Sequence, residues 1–430
     1  MNAPGPRTAP RLHAADSLFA RTGASLFGRL PARHFHRLLD RIDEGLAMGS
    51  IEGHLPDGTI RLLGGRADGP SCVVNLTSWR ALVRVGLSGS VGLYRAWVKG
   101  EWDSADPVAL FTLFMANTRT LGGTARASGL SRLAMRLWHA LNVNSRKGAR
   151  RNISYHYDLG NSFYALWLDH GMTYSSALYT RPDMTLEEAQ TAKIDALLDR
   201  LDLSPGQRLL EVGCGWGSLA LRAAERVPEL GYDGLTLSTE QKAWADAAFA
   251  AAGLAETGLG SRAATHLANY RDFSTAPYDA IASVEMVEAI GQKQWPEYLA
   301  TLHRLLKPGG RAAIQFISID DAIFDSYAAS ADFIQTYIFP GGCLIARDRF
   351  RALAEAAGFA WQDETSMGQD YARTLLEWRQ RFDAVIEAGK LPGTFDAPFV
   401  RLWRFYLMYC EGGFRGGGID THQVTLVRKS

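Results

Sequence analysis

One stretch of the chain, RLLEVGCGWGSLALRAAE at residues 208–225, constrains the fold more than any other. An apolar run ends in a glycine turn at 213–217, and an alanine-rich pattern with helical spacing follows. A strand, a glycine turn and a helix in this order are typical of an open parallel sheet, where ligands bind beyond the carboxyl ends of the strands. Glycine lets the backbone approach such a ligand closely. The turn is therefore a predicted ligand site.

Strands and helices alternate through residues 151–430. The predicted strands are QRLLEVG, YDGLTLS, YDAIASVEM and GGRAAIQFISI, and the predicted helices are TLEEAQTAKIDALLDRL, STEQKAWADAAFAAAG and WPEYLATLHRLLKPG. Thr185 and Glu188 have the spacing of a capping box at the start of the first helix. This alternation predicts an α/β fold, with a mostly parallel, Rossmann-like sheet flanked by helices.

The residues around the glycine turn indicate what it binds. A dinucleotide site favours G-x-G-x-x-G, whereas this turn reads E-x-G-x-G-x-G. Glu211, just before the glycines, would repel a phosphate and would suit a ligand that carries an ammonium or a sulfonium group. Thr236, Ser238 and Gln241 follow the next strand, where nucleotide-binding sheets contact a ribose. The segment LANYRDF, after the third strand, could cover an adenine.

Any one of these residues alone is better explained as an ordinary helix cap or turn. Together they predict a site for S-adenosylmethionine (SAM).

The composition changes along the chain. We expect an N-terminal arm and helix at 1–44, a small α+β domain at 45–118, a basic segment at 119–150 and the α/β domain at 151–430. Within the small domain, LPDGTI predicts two strands joined by an Asp-Gly turn.

The basic segment lies in a stretch from Pro107 to Tyr157 that contains no Asp or Glu. Three interpretations remain open: a solvated linker helix, an amphipathic surface that docks on anionic lipid, and, less favoured, a nucleic-acid surface. The stretch contains eight basic residues, Arg119, Arg126, Arg132, Arg136, Arg146, Lys147, Arg150 and Arg151.

Net charge, apolar runs and cysteine content limit the possible partners and the cellular compartment of the protein. The net charge of +1 gives no strong field that would recruit a polyanion. No apolar run approaches the ~20 residues of a membrane span, and no signal-peptide pattern is evident. The acid-poor, Arg-containing start resembles a transit peptide, but a frayed arm is the preferred interpretation. Four widely spaced cysteines form no CxxC pair, so we expect a reduced, cytoplasmic protein without a metal site.

The third region resembles the cyclopropane fatty acid synthase family of SAM-dependent methyltransferases, with a mycolic acid cyclopropane synthase-like catalytic domain. The motifs that carry the resemblance are YHYDLGNSFYALWLD, MTYSSALY, LLEVGCGWG, LTLSTEQ, YIFPGG and YCEGGFRGGGIDTHQV. The N-terminal domain resembles the lipid-binding domain of the two-domain members. The resemblance implies methyl transfer to the cis double bond of unsaturated phospholipid acyl chains. It also implies a homodimer, peripheral on the cytoplasmic face of the membrane.

The resemblance also assigns cofactor contacts. Tyr174 and Ser175 would contact SAM, and the glycine turn would hold its methionine part. The implied cofactor-binding residues are Tyr174, Ser175, Glu211, Gly213, Gly215, Gly217, Thr236, Leu237, Gln241, Asn269 and Tyr270.

Members of this family bind bicarbonate, the proposed base, in a small oxyanion site. The corresponding side chains here are Ser176, Glu288, Gln315 and Tyr371, with Cys410 nearby and the Ile317 backbone contributing. Ser176 replaces a Cys of the family pattern, Gln315 replaces a His, and Ala289 stands where many members have His. An oxyanion could still bind to these hydrogen-bonding groups, but bicarbonate is not assured. Cys410 is expected to support the site rather than to attack substrate.

The chemistry requires a base and a dry pocket. Attack of an alkene on the SAM methyl group leaves a carbocation, which aromatic faces stabilise; the candidates are Tyr157, Tyr174, Phe316 and Tyr337, each of which could equally be a core residue. Loss of a proton from the new methyl gives a cyclopropane. Loss from a neighbouring carbon after a hydride shift gives a methylene branch, which a partner reductase could convert to a methyl branch. The altered site favours the hypothesis of a methylene- or methyl-forming member.

The sequence is less consistent with three other classes of protein. An amino-methylating nucleic-acid enzyme would carry [DNS]-P-P-[YFW], where this chain reads SVEMVEAIG, so no nucleic-acid partner is expected. A small-molecule methyltransferase would not need the N-terminal domain or the basic segment. A non-catalytic lipid-binding protein would not need Glu288, Tyr371 or the complete glycine turn.

Overall fold

The structure is a computed structural model that describes residues 32–122, 159–254 and 262–430. Its strands are β1 (Ser50–His54), β2 (Ile60–Gly64), β3 (Ser71–Leu76), β4 (Trp102–Asp103), β5 (Arg208–Val212), β6 (Gly231–Thr236), β7 (Arg262–Leu267), β8 (Tyr278–Val284), β9 (Leu306–Ile319), β10 (Ile345–Ala346), β11 (Phe359–Ser366) and β12 (Ile419–Arg428).

Its α-helices are α1 (Ala32–Gly45), α2 (Arg80–Val98), α3 (Pro107–Ala116), α4 (Thr118–Leu121), α5 (Asn161–Tyr164), α6 (Leu186–Leu201), α7 (Ser218–Arg226), α8 (Thr239–Ala251), α9 (Trp295–Leu305), α10 (Asp321–Ala328), α11 (Arg347–Ala356), α12 (Gly368–Glu387) and α13 (Ala397–Arg415). Short 3-10 helices span Val287–Ala289 and Gln292–Gln294, and a π-helix spans Ile334–Ile338. Among the described residues, no helix is long and apolar enough to cross a membrane.

The chain forms two compact units. The described parts of the first unit are 32–122, Ala322–Pro340 and Lys390–Gly418, and those of the second are 159–254, 262–321, Gly341–Gly389 and Ile419–Ser430. The predicted division assigned everything from 151 to 430 to one domain. The structure instead groups two internal segments of that range with the N-terminal unit, for a packing reason that lies within α13.

The packing of α13 on α3 is unusually close because α13 presents glycines there. A Cβ atom on Gly412 would lie 2.4 Å from the Cβ of Phe111, and one on Gly416 would lie 2.6 Å from the Cβ of Met115. Aromatic rings extend this contact, since Phe405 of α13 lies 5.2 Å from Phe111 between ring centroids. Part of the glycine-rich motif YCEGGFRGGG therefore serves helix packing.

The first unit contains a four-stranded sheet with the order β2-β1-β3-β4. The predicted Asp-Gly hairpin is confirmed: β1 and β2 are antiparallel, and Gly58 has a φ of +85° in the turn between them. One face of the sheet is covered and includes Ile51, Leu63 and Cys72. Polar and apolar side chains on the other face remain exposed.

The second unit contains a sheet with the order β11-β12-β9-β8-β5-β6-β7, and β10 pairs with β9. Strands β5 to β9 are parallel, whereas β12 is antiparallel to both β9 and β11. The predicted α/β class with a mostly parallel, Rossmann-like sheet is confirmed. The antiparallel edge was not predicted.

The core of this sheet lies partly under α6, α7 and α8, which contribute Leu197, Ala220 and Phe249 among other buried residues. Helix α6 begins with the predicted capping box: the Thr185 side chain accepts from the backbone of Glu188, and the Glu188 side chain accepts from that of Thr185. Parallel strands that end together under these helices bring the loops after β5, β6, β7 and β8 to one edge.

Candidate active site

The glycine turn after β5 is held open by left-handed backbone. Gly213, Gly215 and Gly217 have φ values of +89°, +52° and +90°. A Cβ on Gly217 would lie 2.8 Å from the Phe249 ring, so this glycine permits the close packing of α7 on α8. A Cβ on Gly215 would meet no atom within 4 Å, which leaves open space beside the turn. The backbone there is accessible to a ligand.

Glu211 lies beneath this turn and is 4% exposed. Burial raises the pKa of its carboxyl to about 7, while a hydrogen bond from the Tyr232 hydroxyl and the charge of Lys193 oppose that rise. A carboxyl with this pKa ionises readily when a cation binds nearby. Its predicted role, to lie beside the sulfonium or ammonium charge of SAM, stays a prediction.

The polar residues predicted after β6 and β7 occupy the same edge. Thr236 donates to the side chain of Gln241 at 2.9 Å, and both residues are buried. The Asn269 side chain accepts from the backbone N–H of Arg271 at 3.1 Å. Tyr270 is 6% exposed and packs edge-on against Tyr298. Leu237 directly follows β6 and is partly buried.

An aromatic cluster surrounds Tyr174, the first predicted SAM contact. Its ring lies 5.3 Å from Trp378, 5.7 Å from Trp167 and 5.4 Å from Tyr164, measured between centroids. Trp378 in turn lies 6.0 Å from Tyr371. The cluster makes one wall of the site apolar and rich in π faces.

Glu285, the residue directly after β8, is the centre of the polar part of the site. Its Oε1 accepts from the backbone N–H of Ser176 at 2.9 Å and from Nε2 of Gln315 at 2.8 Å. Its Oε2 accepts from the Tyr371 hydroxyl at 2.9 Å. Three of the predicted catalytic residues therefore converge on a carboxylate that the sequence analysis did not select.

The backbone of Glu285 is also unusual, with a φ of +48°. Non-glycine residues rarely adopt this conformation, and such residues cluster at functional sites. The Glu285 N–H donates to the Gln315 carbonyl at 2.8 Å, which ties the strained residue to β9. Glu285 as a whole residue is partly buried.

Glu288, the predicted catalytic carboxylate, has a different environment. Its Oε1 accepts from the backbone N–H of Ile317, a group that the resemblance assigns to the oxyanion site, and its Oε2 has no hydrogen-bond partner within the described part of the chain. Burial and then the charge of Glu285 raise the pKa of Glu288 to about 8. Glu288 is therefore protonated at neutral pH.

Lys193 on α6 connects the cofactor side to the Glu285 side. Its ammonium donates to the Ser175 hydroxyl at 2.7 Å and is 2% exposed. Burial lowers its pKa to about 8, whereas the charges of Glu285, Asp169 and Glu211 raise it. One cation thus lies among three carboxyl groups, whose charges favour its protonated form.

Comparison with known proteins places this geometry in a family. The family model "Mycolic acid cyclopropane synthetase" matches residues 144–424. Tuberculostearic acid methyltransferase UfaA1 of Mycobacterium tuberculosis is 37% identical over 369 residues, which cover 80% of this chain and 81% of the relative. The cyclopropane-fatty-acyl-phospholipid synthase of Escherichia coli K12 is 32% identical over 80% of this chain and 85% of its own length.

Among solved structures, mycolic acid cyclopropane synthase CmaA1, complexed with SAH and CTAB, superposes with a TM-score of 0.58 at 32% identity. The match covers 65% of this chain and 98% of that one. The chain belongs to the mycolic acid cyclopropane synthetase family. It is a SAM-dependent methyltransferase, and SAM is its cofactor. The predicted family and enzyme class are confirmed.

The assignment of individual site residues within this family stays a prediction. Ser176, Gln315, Tyr371 and Glu288 lie together in the second unit, as do the predicted SAM contacts. Cys410 belongs to the first unit, on α13, where burial and the charge of Asp332 raise the pKa of its thiol well above the usual range. A thiol in this state is a poor nucleophile, in line with its expected supporting role.

The aromatic candidates are also separated. Tyr174 lies in the site, but Phe316 is fully buried against His422, Phe350 and Trp361 and is a core residue. Tyr337 belongs to the first unit, where its hydroxyl accepts from Arg95 at 3.0 Å. Tyr157 and seven of the eight basic residues, from Arg126 to Arg151, lie outside the described residues.

Sequence reasoning missed Glu285 and Lys193, although each left a signal. Glu285 lies near the carboxyl end of the predicted strand YDAIASVEM, the end of the strand at which ligands bind in such sheets. Lys193 has the helical spacing of the buried positions Ala189, Ile194 and Leu197, so it falls on the apolar face of α6. A charged residue on a buried face generally has a partner or a function.

Proposed function

We propose that this enzyme transfers the methyl group of SAM to the cis double bond of an unsaturated fatty acyl chain in a membrane phospholipid. The names of two relatives support this substrate class, a tuberculostearic acid methyltransferase and a cyclopropane-fatty-acyl-phospholipid synthase. The observation that carries the proposal is the carboxylate pair after β8, with Glu288 protonated and Glu285 held by three donors beside an aromatic wall.

The chemistry explains why such a site suits an alkene. Bound SAM supplies an electrophilic methyl group, and an alkene has no acidic proton to lose before it attacks. The resulting carbocation must be kept from water until a proton leaves. Tyr174 and Trp378 present π faces that stabilise a cation by about 0.5–2 kcal/mol each. A carboxylate at the edge of that wall can then accept the proton.

Two products follow from the same cation. A cyclopropane forms if the proton leaves from the transferred methyl, and a methylene branch forms if it leaves from a neighbouring carbon after a hydride shift. We favour the methylene or methyl branch, because Gln315 stands where the family pattern has His and because UfaA1 is named as a tuberculostearic acid methyltransferase. A methylene product implies a reductase partner that adds hydrogen to it.

Mass spectrometry of fatty acid methyl esters tests both the proposed acyl substrate and the proposed type of product. Purified enzyme is incubated with SAM and vesicles of a cis-monounsaturated phospholipid. A gain of one CH₂ supports acyl methylation; a product that then takes up hydrogen under mild conditions is a methylene branch, and one that resists is a cyclopropane. No mass gain with mono- or dienoic acyl chains, in phospholipids or as free acids, would contradict the proposal.

Access to membrane lipid requires a docking surface, and we assign this role to the exposed face of the first unit's sheet. Ile60 and Leu62 on β2 are 65% and 67% exposed, and Val73 on β3 is 44% exposed. The register places Leu62, Glu52 and Val73 in one row across the face. Apolar side chains on an exposed face are typical of interaction sites. The basic segment 119–150, mostly outside the described residues, remains a predicted contribution.

Vesicle sedimentation tests this surface. The double substitution Ile60→Ser and Leu62→Ser should weaken binding to vesicles that contain anionic lipid by about 30-fold or more, since each buried apolar side chain contributes ~1–2 kcal/mol. Trp244→Ser on α8 is the matched control, because Trp244 is exposed but lies in the other unit. Equal binding by the double variant and the control would remove this role. Substituting Arg146, Lys147, Arg150 and Arg151 with Glu tests the basic segment separately.

A further inference from the structure

Three of the positions that the family resemblance assigns to a bicarbonate site donate hydrogen bonds to Glu285, one of them, Ser176, through its backbone. The backbone N–H of Ser176, the Gln315 amide and the Tyr371 hydroxyl all donate to one carboxylate, at 2.9, 2.8 and 2.9 Å. A carboxylate and a bicarbonate ion present the same planar pair of oxygens to such donors. Because Glu285 already accepts all three hydrogen bonds, these groups are not free to hold a second oxyanion.

We propose that the Glu285 carboxylate is the base of the reaction and replaces the separate oxyanion, so that the enzyme carries its own base. The inference rests on the proposed function, and it identifies Glu285 as the group that accepts the proton in the last step of that reaction. It also explains why Gln315 can stand in place of His, since Glu285 needs only a hydrogen-bond donor at that position and no second titratable group.

The proton-transfer step balances without any further reactant. The π electrons of the alkene form the new C–C bond to the methyl group, and the electron pair of the broken S–CH₃ bond stays on sulfur. The carbocation then loses one proton to a Glu285 oxygen, and the C–H electron pair forms either the ring bond or a new C=C bond. The proton passes from Glu285 to water when the product leaves.

The groups around Glu285 favour its ionised form. Burial raises its pKa, but the three hydrogen bonds and the nearby ammonium of Lys193 oppose the rise. Glu288, the other carboxyl group of this strand end, is protonated at neutral pH and so adds no competing charge. Two neighbouring carboxyls whose proton affinities are driven apart are typical of an acid–base site.

The fixed position of Glu285 matters because it decides which proton it can reach. Its backbone is tied to β9 through the Gln315 carbonyl, and its carboxylate is bound at both oxygens. A base attached to the strand end samples fewer positions than a diffusible ion. We therefore expect the position of Glu285 to determine whether a cyclopropane or a methylene branch forms.

The test compares wild type with Glu285→Gln and Glu285→Gly in buffer freed of dissolved CO₂. Glu285→Gln keeps the shape and the acceptor oxygen but removes the base. Glu285→Gly suits the φ of +48° and leaves space for an added anion. Glu355→Gln, which makes the same chemical change at a half-exposed position on α11, is the matched control.

We expect wild type and Glu355→Gln to make methylated acyl product equally well with and without added bicarbonate. Glu285→Gln should lose about 100-fold or more of kcat, with no rescue. Glu285→Gly should lose a similar factor and regain about ten-fold or more when bicarbonate or formate is added, as expected for a restored base. SAM affinity, measured by calorimetry, should stay within about three-fold in each variant and shows that the site is folded.

Two results would overturn the inference: a wild type that makes product only when bicarbonate is present, or a Glu285→Gln variant that keeps more than about a tenth of wild-type kcat. Neither resembles failure of the proposed function, in which wild type yields no methylated acyl product under any condition and both proposals fall.

Discussion

Strands β5 and β8 are neighbours in the sheet, and each ends beside a carboxylate, yet the two carboxylates are held in opposite ways. Glu211 is buried, and the Tyr232 hydroxyl donates to it. Glu285 is partly exposed, and three donors point at it. After Glu211 the chain turns through glycines, whereas Glu285 itself adopts the left-handed conformation. In our proposals the first arrangement supplies a negative charge to the cofactor, and the second supplies a proton acceptor to the substrate.

The largest expected effect separates the two carboxylates kinetically. Glu285→Gln should lower kcat by about 100-fold or more while leaving SAM affinity nearly constant, because it removes a group that acts only in proton transfer. Glu211→Gln should weaken SAM binding by about ten-fold, the equivalent of one lost charge contact of ~1.4 kcal/mol, and should lower kcat at saturating SAM by less than about five-fold. Steady-state kinetics and calorimetry measure both. Similar kcat losses in the two variants would contradict this division of roles.

Lys193, which interacts with both carboxylates, should give the next largest effect. Lys193→Met removes the charge that favours ionised Glu285, so the pKa of Glu285 rises and the acid limb of the pH–rate profile moves upward by about one unit. On the acid limb kcat should fall by about ten-fold, and the loss should shrink as the pH rises. A loss that is uniform across the pH range would indicate a purely structural role for Lys193. Lys242→Met, which removes a lysine paired with Asp246 on α8, serves as the control.

The pKa of Glu211 predicts a pH dependence of SAM binding. Because this pKa is about 7, Glu211 is mostly protonated at pH 6 and mostly ionised at pH 8. If cationic SAM binds the ionised form, its affinity should rise by up to about ten-fold over that range, and binding near pH 6.5 should release a proton. Calorimetry in buffers of different ionisation enthalpy measures both quantities. The prediction is wrong if the SAM affinity of wild type does not depend on pH, or if the Glu211→Gln variant keeps the same pH dependence.

The smallest expected effect is on stability and concerns Glu288. Its carboxyl holds a proton up to about pH 8 in the folded protein, whereas the unfolded chain releases it near 4.5. The folded state therefore binds more protons between these values, and the free energy of unfolding falls as the pH rises. Glu288→Gln, which keeps an acceptor for the Ile317 N–H, should be more stable than wild type by on the order of 1 kcal/mol at about pH 5.5 and nearly equal to it at about pH 4. Urea unfolding at the two pH values measures the difference; an equal gain at both would point to packing.

The contrast between β5 and β8 also shows why one half of the site could be predicted from the sequence. The glycine turn, Glu211 and the polar residues after β6 lie close together along the chain, so their spacing indicates their role. The capping box of α6 and the Asp-Gly hairpin are local in the same sense, and both are confirmed.

The half around Glu285 could not be predicted in this way. Its donors come from three distant segments, at Ser176, Gln315 and Tyr371, and no spacing rule relates them to Glu285. Phe316 shows the same limit, because its neighbour Gln315 faces the site while Phe316 packs into the core on the other face of β9. The grouping of 322–340 and 390–418 with the first unit depends on contacts between segments far apart in the chain, which chain order does not indicate.

The sequence by itself determined the class of this protein: the alternating strands and helices, the glycine turn and the family motifs are sufficient for a SAM-dependent methyltransferase of α/β fold. The tertiary structure decided which carboxylate receives the hydrogen bonds of the predicted anion site. The physical reason is the separation along the sequence of the residues that interact. Helix caps, turns and the periodicity of strands arise between residues a few positions apart, whereas the proton affinity of Glu285 depends on burial and on charges that only the folded chain brings within reach.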